Sequence, residues 1–151
     1  MTQHQIIAEA GTNVLPMPFH LSTMGASLAE ARRFYTGVLG CEERRATKTS
    51  AHFDFFGSQL TVHQIADYNA SNLHREVDAE NVPVPHFGAA LDEARFHTVA
   101  QRLKAAGWPF ILEPHKRFLD KGHEQWVLFV LDPSGNAIEI KSFTKIGSGW
   151  I

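Results

Sequence analysis

The sequence predicts an α+β domain in which two paired modules, each running strand, helix, then three strands, curl side by side into a cup-shaped mixed sheet. The first observation behind this is an internal repeat. Pro18-Phe19-His20-Leu21 is followed by apolar residues at Leu28, Ala31, Tyr35 and Val38, whereas Pro85-His86-Phe87 is followed by Phe96, Val99, Leu103 and Ala106. The same features in the same order mark a duplicated unit. Secondly, both apolar sets have the spacing of a helix covering a core, and both close on glycine, at Leu39-Gly40 and at Gly107, where a left-handed cap belongs. Thirdly, Asp132-Pro133-Ser134-Gly135-Asn136 is a strong turn signal between two strand-like runs, because proline presets one dihedral and glycine accepts positive φ.

Taken in order, residues 1–16 are a tail ahead of a single domain over 17–151, with modules covering about 17–65 and 84–144. Met1 to Asn13 is polar and mixed in charge, without the basic start and apolar centre of a secretion signal. The first module places a strand at His20, then the helix, then strands over Cys41 to Thr47, Ala51 to Phe56 and Ser58 to Ile65. Ala66 to Pro83 has little periodicity and carries Asn, Asp and Ser; a linker of this length suggests a lid or binding loop. The second module repeats the pattern with a strand at His86, a helix, and strands over Trp108 to Leu112, Gln125 to Leu131 and Asn136 to Phe143.

Composition narrows the function classes. A chain of 151 residues that is 44% apolar builds one core of ordinary size. Its net charge of -2 and pI near 6.5 supply no basic field for nucleic acid or an anionic membrane surface, so small molecules are the expected partners. No apolar run reaches the roughly 20 residues of a membrane span. The single Cys41 cannot form an internal disulfide, which fits a reducing cytoplasm.

Strand parity then separates two faces. Ile138 and Ile140 share the core face of the last strand, leaving Ala137, Glu139 and Lys141 on the other; likewise Leu60 and Val62 oppose Gln59, Thr61 and His63. A carboxylate facing the inside of a cup is costly unless paired or bound to a metal. Phe19 and Leu21 flank His20, so His20 points the same way, and His86 holds the matching place in the repeat. The inner wall therefore carries His20, Gln59, Thr61, His63, His86, Gln125 and Glu139. Two imidazoles and one carboxylate leave open positions on a divalent metal, suiting non-haem Fe(II) oxygen chemistry or Lewis-acid catalysis. A lone strand histidine is more often structural than a ligand; the matched places of His20 and His86 shift that balance toward metal binding. His63 is open to three roles: fourth ligand, base or substrate contact.

Phe19-His20, the Ala31-Arg32-Arg33-Phe34-Tyr35 stretch with Val38-Leu39-Gly40, Pro85-His86-Phe87, and Asp132-Pro133-Ser134-Gly135-Asn136 ahead of Glu139 together resemble the glyoxalase/bleomycin resistance/extradiol dioxygenase superfamily. The resemblance spans Pro18 to Phe143. It implies paired βαβββ modules, a homodimer, and a metal that chelates vicinal oxygens of the substrate. By position, it implies His20, His86 and Glu139 as metal ligands, the iron triad of the extradiol dioxygenases. Glyoxalase I adds a ligand, usually glutamate, on the last strand of its first module; this chain offers Thr61 and His63 there, a departure from that enzyme. Members that sequester drugs generally lack the two histidines and glutamate.

Outside the triad, Arg117 is the candidate for gripping a substrate anion, since a guanidinium holds a carboxylate with two parallel hydrogen bonds. It belongs to a cation-rich stretch, Glu113 to Phe118 followed by Lys121-Gly122-His123, whose plainer reading is a solvated loop. Trp126 and Phe129 fall on opposite faces, so one can line the cup and the other pack a core, although the plainer reading is that both are packing residues. His52, His74 and His97 lack matching partners and read as structural or solvent facing, and Cys41 as a packing residue. The resulting expectation is a metal-dependent enzyme with Fe(II) ahead of Mn, Ni or Zn, His63 as candidate base, and Gln59, Thr61, Arg117 and Gln125 as substrate contacts. Dioxygenase-like chemistry stands ahead of lyase or isomerase chemistry, and non-catalytic sequestration of an aromatic or drug-like ligand is the alternative.

Overall fold

A computed structural model describes residues 19–144, so the expected tail over residues 1–16 lies outside the described residues. The first element among the described residues is β1 (His20–Gly25), after which Ser27 caps α1 (Leu28–Arg32) by accepting a hydrogen bond from the Glu30 amide. A π-helical turn, Arg33–Val38, continues the helix. Its wider winding keeps Phe34 and Tyr35 both buried, so the covering face broadens beyond the Leu28, Ala31, Tyr35 and Val38 stripe. Three strands follow: β2 (Glu42–Ala46), β3 (Ser50–Phe55) and β4 (Ser58–Gln64).

The stretch expected as an irregular linker holds a small antiparallel hairpin, β5 (Arg75–Val77) with β6 (Val82–Val84), and a cis peptide joins Val84 to Pro85. The second module runs β7 (Phe87–Ala90), α2 (Glu93–Ala105) capped by Asp92, β8 (Phe110–Arg117), β9 (Gln125–Leu131) and β10 (Ala137–Phe143). His86 stands one residue ahead of β7, whereas His20 opens β1. β8 runs on to Arg117 instead of ending at Leu112, because two register shifts absorb Pro114 and keep the strand paired to β9. The cationic stretch is thus mostly strand.

Both modules are βαβββ units. In each, the first strand pairs in parallel with the last, and the remaining pairs are antiparallel, giving strand orders β1-β4-β3-β2 and β7-β10-β9-β8. Within one chain these are two separate mixed four-stranded sheets, not one continuous wall. Their helix-side faces share one core. Phe34, Phe53, Leu60 and Val62 of the first module cluster there with Phe96, Leu103, Leu128, Ile138 and Ile140 of the second. Phe34 lies 4.7 Å from the Trp108 ring and Phe55 lies 5.6 Å from the Phe87 ring, so aromatic contacts cross the seam. Burying each such side chain contributes on the order of 1.5–3 kcal/mol. Cys41 belongs to this core, and burial pushes its thiol up to about 12, as suits a packing residue.

The Asp132–Asn136 turn bolts the modules together. The Asp132 carboxylate accepts hydrogen bonds from Tyr35 and from Asn136, while Ser134 Oγ accepts from the Ala26 amide and Asn136 donates to the Met24 carbonyl. Among the described residues no helix is long and apolar enough to cross a membrane.

Candidate functional site

Parity places the polar residues as expected. On β10, Ile138 and Ile140 enter the core and Glu139 and Lys141 face away from it; on β4, Leu60 and Val62 enter the core while Gln59, Thr61 and His63 face away. The away-facing residues of the two sheets, however, form two distinct groups.

On the second sheet, His86 and Glu139 meet, with His86 Nε2 3.5 Å from Glu139 Oε2. His86 Nδ1 donates to the Pro83 carbonyl at 2.6 Å, and its ring packs edge-on against Phe129. Fixing the proton on Nδ1 turns the Nε2 lone pair toward the carboxylate, as the outer hydrogen bond of a metal-binding histidine does. Two donors each about 2.1 Å from one ion span roughly the observed separation, so this pair fits a divalent cation. Gly88, beside Glu139 in the parallel pair, lets β7 approach: a Cβ there would lie 1.8 Å from the Glu139 carbonyl oxygen.

Lys141, which the sequence placed on this face without a role, reaches the same carboxylate, Nζ to Oε2, at 3.0 Å. Its signal was an opposite charge two residues on, on the same strand face. Burial pushes the Glu139 carboxyl up, but His86 and Lys141 outweigh it and hold the group below the usual 4.5. The Glu139 hydrogen bond raises His86 above 6.5, against a lowering from burial.

Gln125 and Arg117 sit opposite one another on β9 and β8, further along the second sheet. Gln125 is buried, and its Oε1 has no hydrogen-bond partner. Arg117 is engaged by the β5–β6 hairpin: its Nη2 lies 3.5 Å from Asp78, and its Nε lies 2.9 Å from Glu80 without being aimed for a hydrogen bond. Glu80 also takes a 2.8 Å hydrogen bond from His115, which holds its carboxyl below the usual range. With Pro83 on His86 and Glu80 on His115 and Arg117, the hairpin forms a strap along this side of the second sheet. Phe129 lies on the away-facing side against His86 and Trp126 packs toward Phe96, on opposite faces of β9 as parity requires.

The first sheet carries the other group. His20 stands opposite Gln59, Ser22 opposite Thr61, and His52 also opposite Thr61. Thr61 Oγ1 and His52 Nδ1 are hydrogen-bonded at 3.0 Å, and Ser22 and His63 at 3.3 Å, while His20 and His63 are exposed. Partial burial pulls the His52 imidazole below its ordinary value, helped by Arg45, His63 and His20. His52 is thus a member of this face that went unassigned, although its alternation with Ala51 and Phe53 contained the signal. Among the described residues no three His, Cys, Asp or Glu side chains gather into a metal-binding group, so a single chain does not bring His20 to His86 and Glu139.

Beside His86 opens a cleft of about 210 Å³, lined by Leu21, Tyr68, Leu73, His74 and Phe87 among others. His74 therefore borders the site. A larger groove of about 470 Å³ near Cys41, Arg95 and Arg102 touches none of the predicted site residues.

Residues 19–140 match the model of the glyoxalase/bleomycin resistance protein/dioxygenase superfamily. Among solved structures, a glyoxalase/bleomycin resistance protein/dioxygenase from Alicyclobacillus acidocaldarius is 30% identical, with a TM-score of 0.70 over 89% of this chain and 96% of that one. A fosfomycin resistance protein from Listeria monocytogenes is 13% identical (TM-score 0.58, covering 85% and 94%), and a lactoylglutathione lyase from Agrobacterium tumefaciens is 19% identical (TM-score 0.56, covering 84% and 93%). These two share the fold. No curated protein matches by sequence. With the duplicated βαβββ modules, the away-facing histidines and glutamate, and a family match running from β1 into β10, the chain belongs to the glyoxalase/bleomycin resistance protein/dioxygenase superfamily.

Proposed function

We propose that this protein is a cytoplasmic, homodimeric, divalent-metal-dependent enzyme of the vicinal oxygen chelate type, acting on a small oxygen-chelating substrate. The observation that carries this reading is the His86–Glu139 pair, 3.5 Å apart, with the outer nitrogen of His86 already fixed by the Pro83 carbonyl. His20 completes the ligand set from a second copy of the chain, because its own sheet presents it to solvent away from that pair. Fe(II) stands ahead of Mn, Ni and Zn, and dioxygenase-like chemistry ahead of lyase or isomerase chemistry, since three ligands leave positions for two substrate oxygens and one more group. When bound, the metal would supply stabilisation of negative charge developing on those oxygens.

The chain's own residues have separate tasks. His86 keeps its proton on Nδ1 and leaves Nε2 free, while Phe129 beneath the ring limits its rotation. His63, held by Ser22, is the candidate base, entering with His20 on the facing sheet along with Gln59 and Thr61. Gln125 and Arg117 contact the outer part of the substrate, with Arg117 becoming available as the hairpin strap shifts.

A second reading, sequestration of an aromatic or drug-like compound, draws on the apolar lining of the cleft beside His86. One experiment separates them: elemental analysis of wild type, His86→Ala and Glu139→Ala, and of a refolded mixture of His20→Ala with Glu139→Ala chains. The metal reading expects metal in wild type, none in either single variant, and partial recovery in the mixture, where mixed dimers contain one intact site. Wild type that takes up no metal on titration would leave sequestration as the function.

A further inference from the structure

We infer that Lys141 is the anion-binding residue of this site, so that the substrate carries a carboxylate beside a chelating oxygen, as a 2-oxo or 2-hydroxy acid does. The inference rests on the metal reading above. Lys141 shares the away-facing side of β10 with Glu139, its ammonium is 3.0 Å from Glu139 Oε2, and its side chain is 32% exposed, so a ligand can reach it. The Phe143 ring, 5.9 Å from Nζ, borders it on the other side.

Charge decides what that ammonium does. The residues sharing this side of β7, β9 and β10 are Gly88, Ala90, Gln125, Val127, Phe129, Leu131, Ala137, Lys141 and Phe143 around Glu139, so Glu139 is the one carboxylate among them. With His86 and Glu139 engaged by a divalent cation, one negative charge faces three positive ones in a partly buried place. Like charges so close repel strongly unless an anion lies between them. Lys141 is then driven off the shared carboxylate toward whatever anion enters. A substrate carboxylate binds both the cation and the ammonium, whereas a chelator whose charge lies wholly on its metal-bound oxygens offers Lys141 no free carboxylate oxygen. The same residue that satisfies Glu139 in the empty site thereby selects acidic substrates in the filled one.

The test uses the full-length chain loaded with Mn²⁺ and two probes: oxalate, which offers carboxylate oxygens, and acetohydroxamate, which chelates through vicinal oxygens without a carboxylate. Binding is measured by calorimetry for wild type, Lys141→Met and Lys141→Arg. The expected result is that Lys141→Met loses about tenfold or more in oxalate affinity, the scale of a charge-assisted hydrogen bond. Acetohydroxamate affinity stays level, Mn²⁺ binds at least as tightly as to wild type, and Lys141→Arg retains most oxalate affinity. Unchanged oxalate binding in Lys141→Met, or equal losses for both probes, overturns the assignment while the metal reading stands. Failure of wild type to bind Mn²⁺ or any other divalent ion overturns both.

Discussion

The Tyr35 hydroxyl donates a 2.8 Å hydrogen bond to the Asp132 carboxylate, joining the first module's helical segment to the last hairpin across 97 residues of chain. Tyr35 is completely buried, and burial with the nearby carboxylate pushes its hydroxyl well above 10, so the proton stays on the tyrosine and the bond persists at all working pH values. Tyr35→Phe removes the donor and leaves a buried carboxylate short of one partner. The expected cost is about 1–3 kcal/mol, seen as a melting temperature several degrees lower, with metal content per folded chain unchanged. A melting temperature equal to wild type would show that the Ser134 amide and the amide and side chain of Asn136 satisfy Asp132 without Tyr35.

Gly88→Ala puts a Cβ 1.8 Å from the Glu139 carbonyl oxygen, so β7 must draw away from β10. Because His86 enters directly ahead of β7, the displacement moves it relative to Glu139. The variant is expected to lose metal affinity together with stability. Ala90→Ser, on the same face of the same strand, is the control expected to retain both. Normal metal binding by the glycine variant would mean that the strand can shift without carrying His86 along.

Metal uptake and the His86 proton compete. Because Glu139 raises His86 above 6.5, protonation of the empty site begins at higher pH than for an ordinary histidine, and metal affinity should begin to fall there. Glu139 sits below 4.5 and adds no second proton until well into acid. For the metal-free chain the signs oppose. The His86 contribution to stability is fully present below pH 6.5 and is lost as pH rises through the raised value, while that of Glu139 is present above 4.5 and lost as pH falls through the lowered value. The pair therefore stabilises most between those two values, and His86→Ala should cost most stability in that window. A pH-independent difference in melting temperature between His86→Ala and wild type would contradict the assigned shifts.

Glu80 holds the hairpin strap through His115 and Arg117, but it is 40% exposed, so water and salt screen the pairs. Glu80→Gln is expected to leave the melting temperature almost unmoved while making the β5–β6 segment easier to cut by a protease at low concentration. Unaltered cleavage would indicate that the buried Val82 and Pro83 hold the strap by themselves.

Much of this was legible in the residues because a strand has a period of two and a helix a period near 3.6. Those periods assign faces, so Glu139 opposite Ile138 and Ile140, and Thr61 opposite Leu60 and Val62, could be read before any coordinates. The glycines ending both helical segments, Gly40 and Gly107, indeed take positive φ. Periodicity does not say which sheets meet, and this is why His20 and Glu139 read as one wall yet occupy two sheets of a single chain. The β5–β6 hairpin escaped notice because strands of three residues are too short to show alternation. β8 extends past Leu112 through the stretch read as a solvated loop, because charge content gave no sign of the register shifts that keep it paired with β9.

The Asp-Pro-Ser-Gly-Asn run carried the family resemblance together with the first helix, yet its contacts are mostly architectural, with Asn136 alone of the five also bordering the cleft beside His86. Asp132 ties down Tyr35, Ser134 the Ala26 amide and Asn136 the Met24 carbonyl, and Gly135 presses against Ser71 where a Cβ would lie 2.4 Å from its hydroxyl. A descendant of this chain stripped of His20, His86 and Glu139 would still need Asp132, Ser134, Gly135 and Asn136 to hold its halves together. The signature is therefore more a rivet than a reagent: it announces ancestry and architecture, and says little about chemistry.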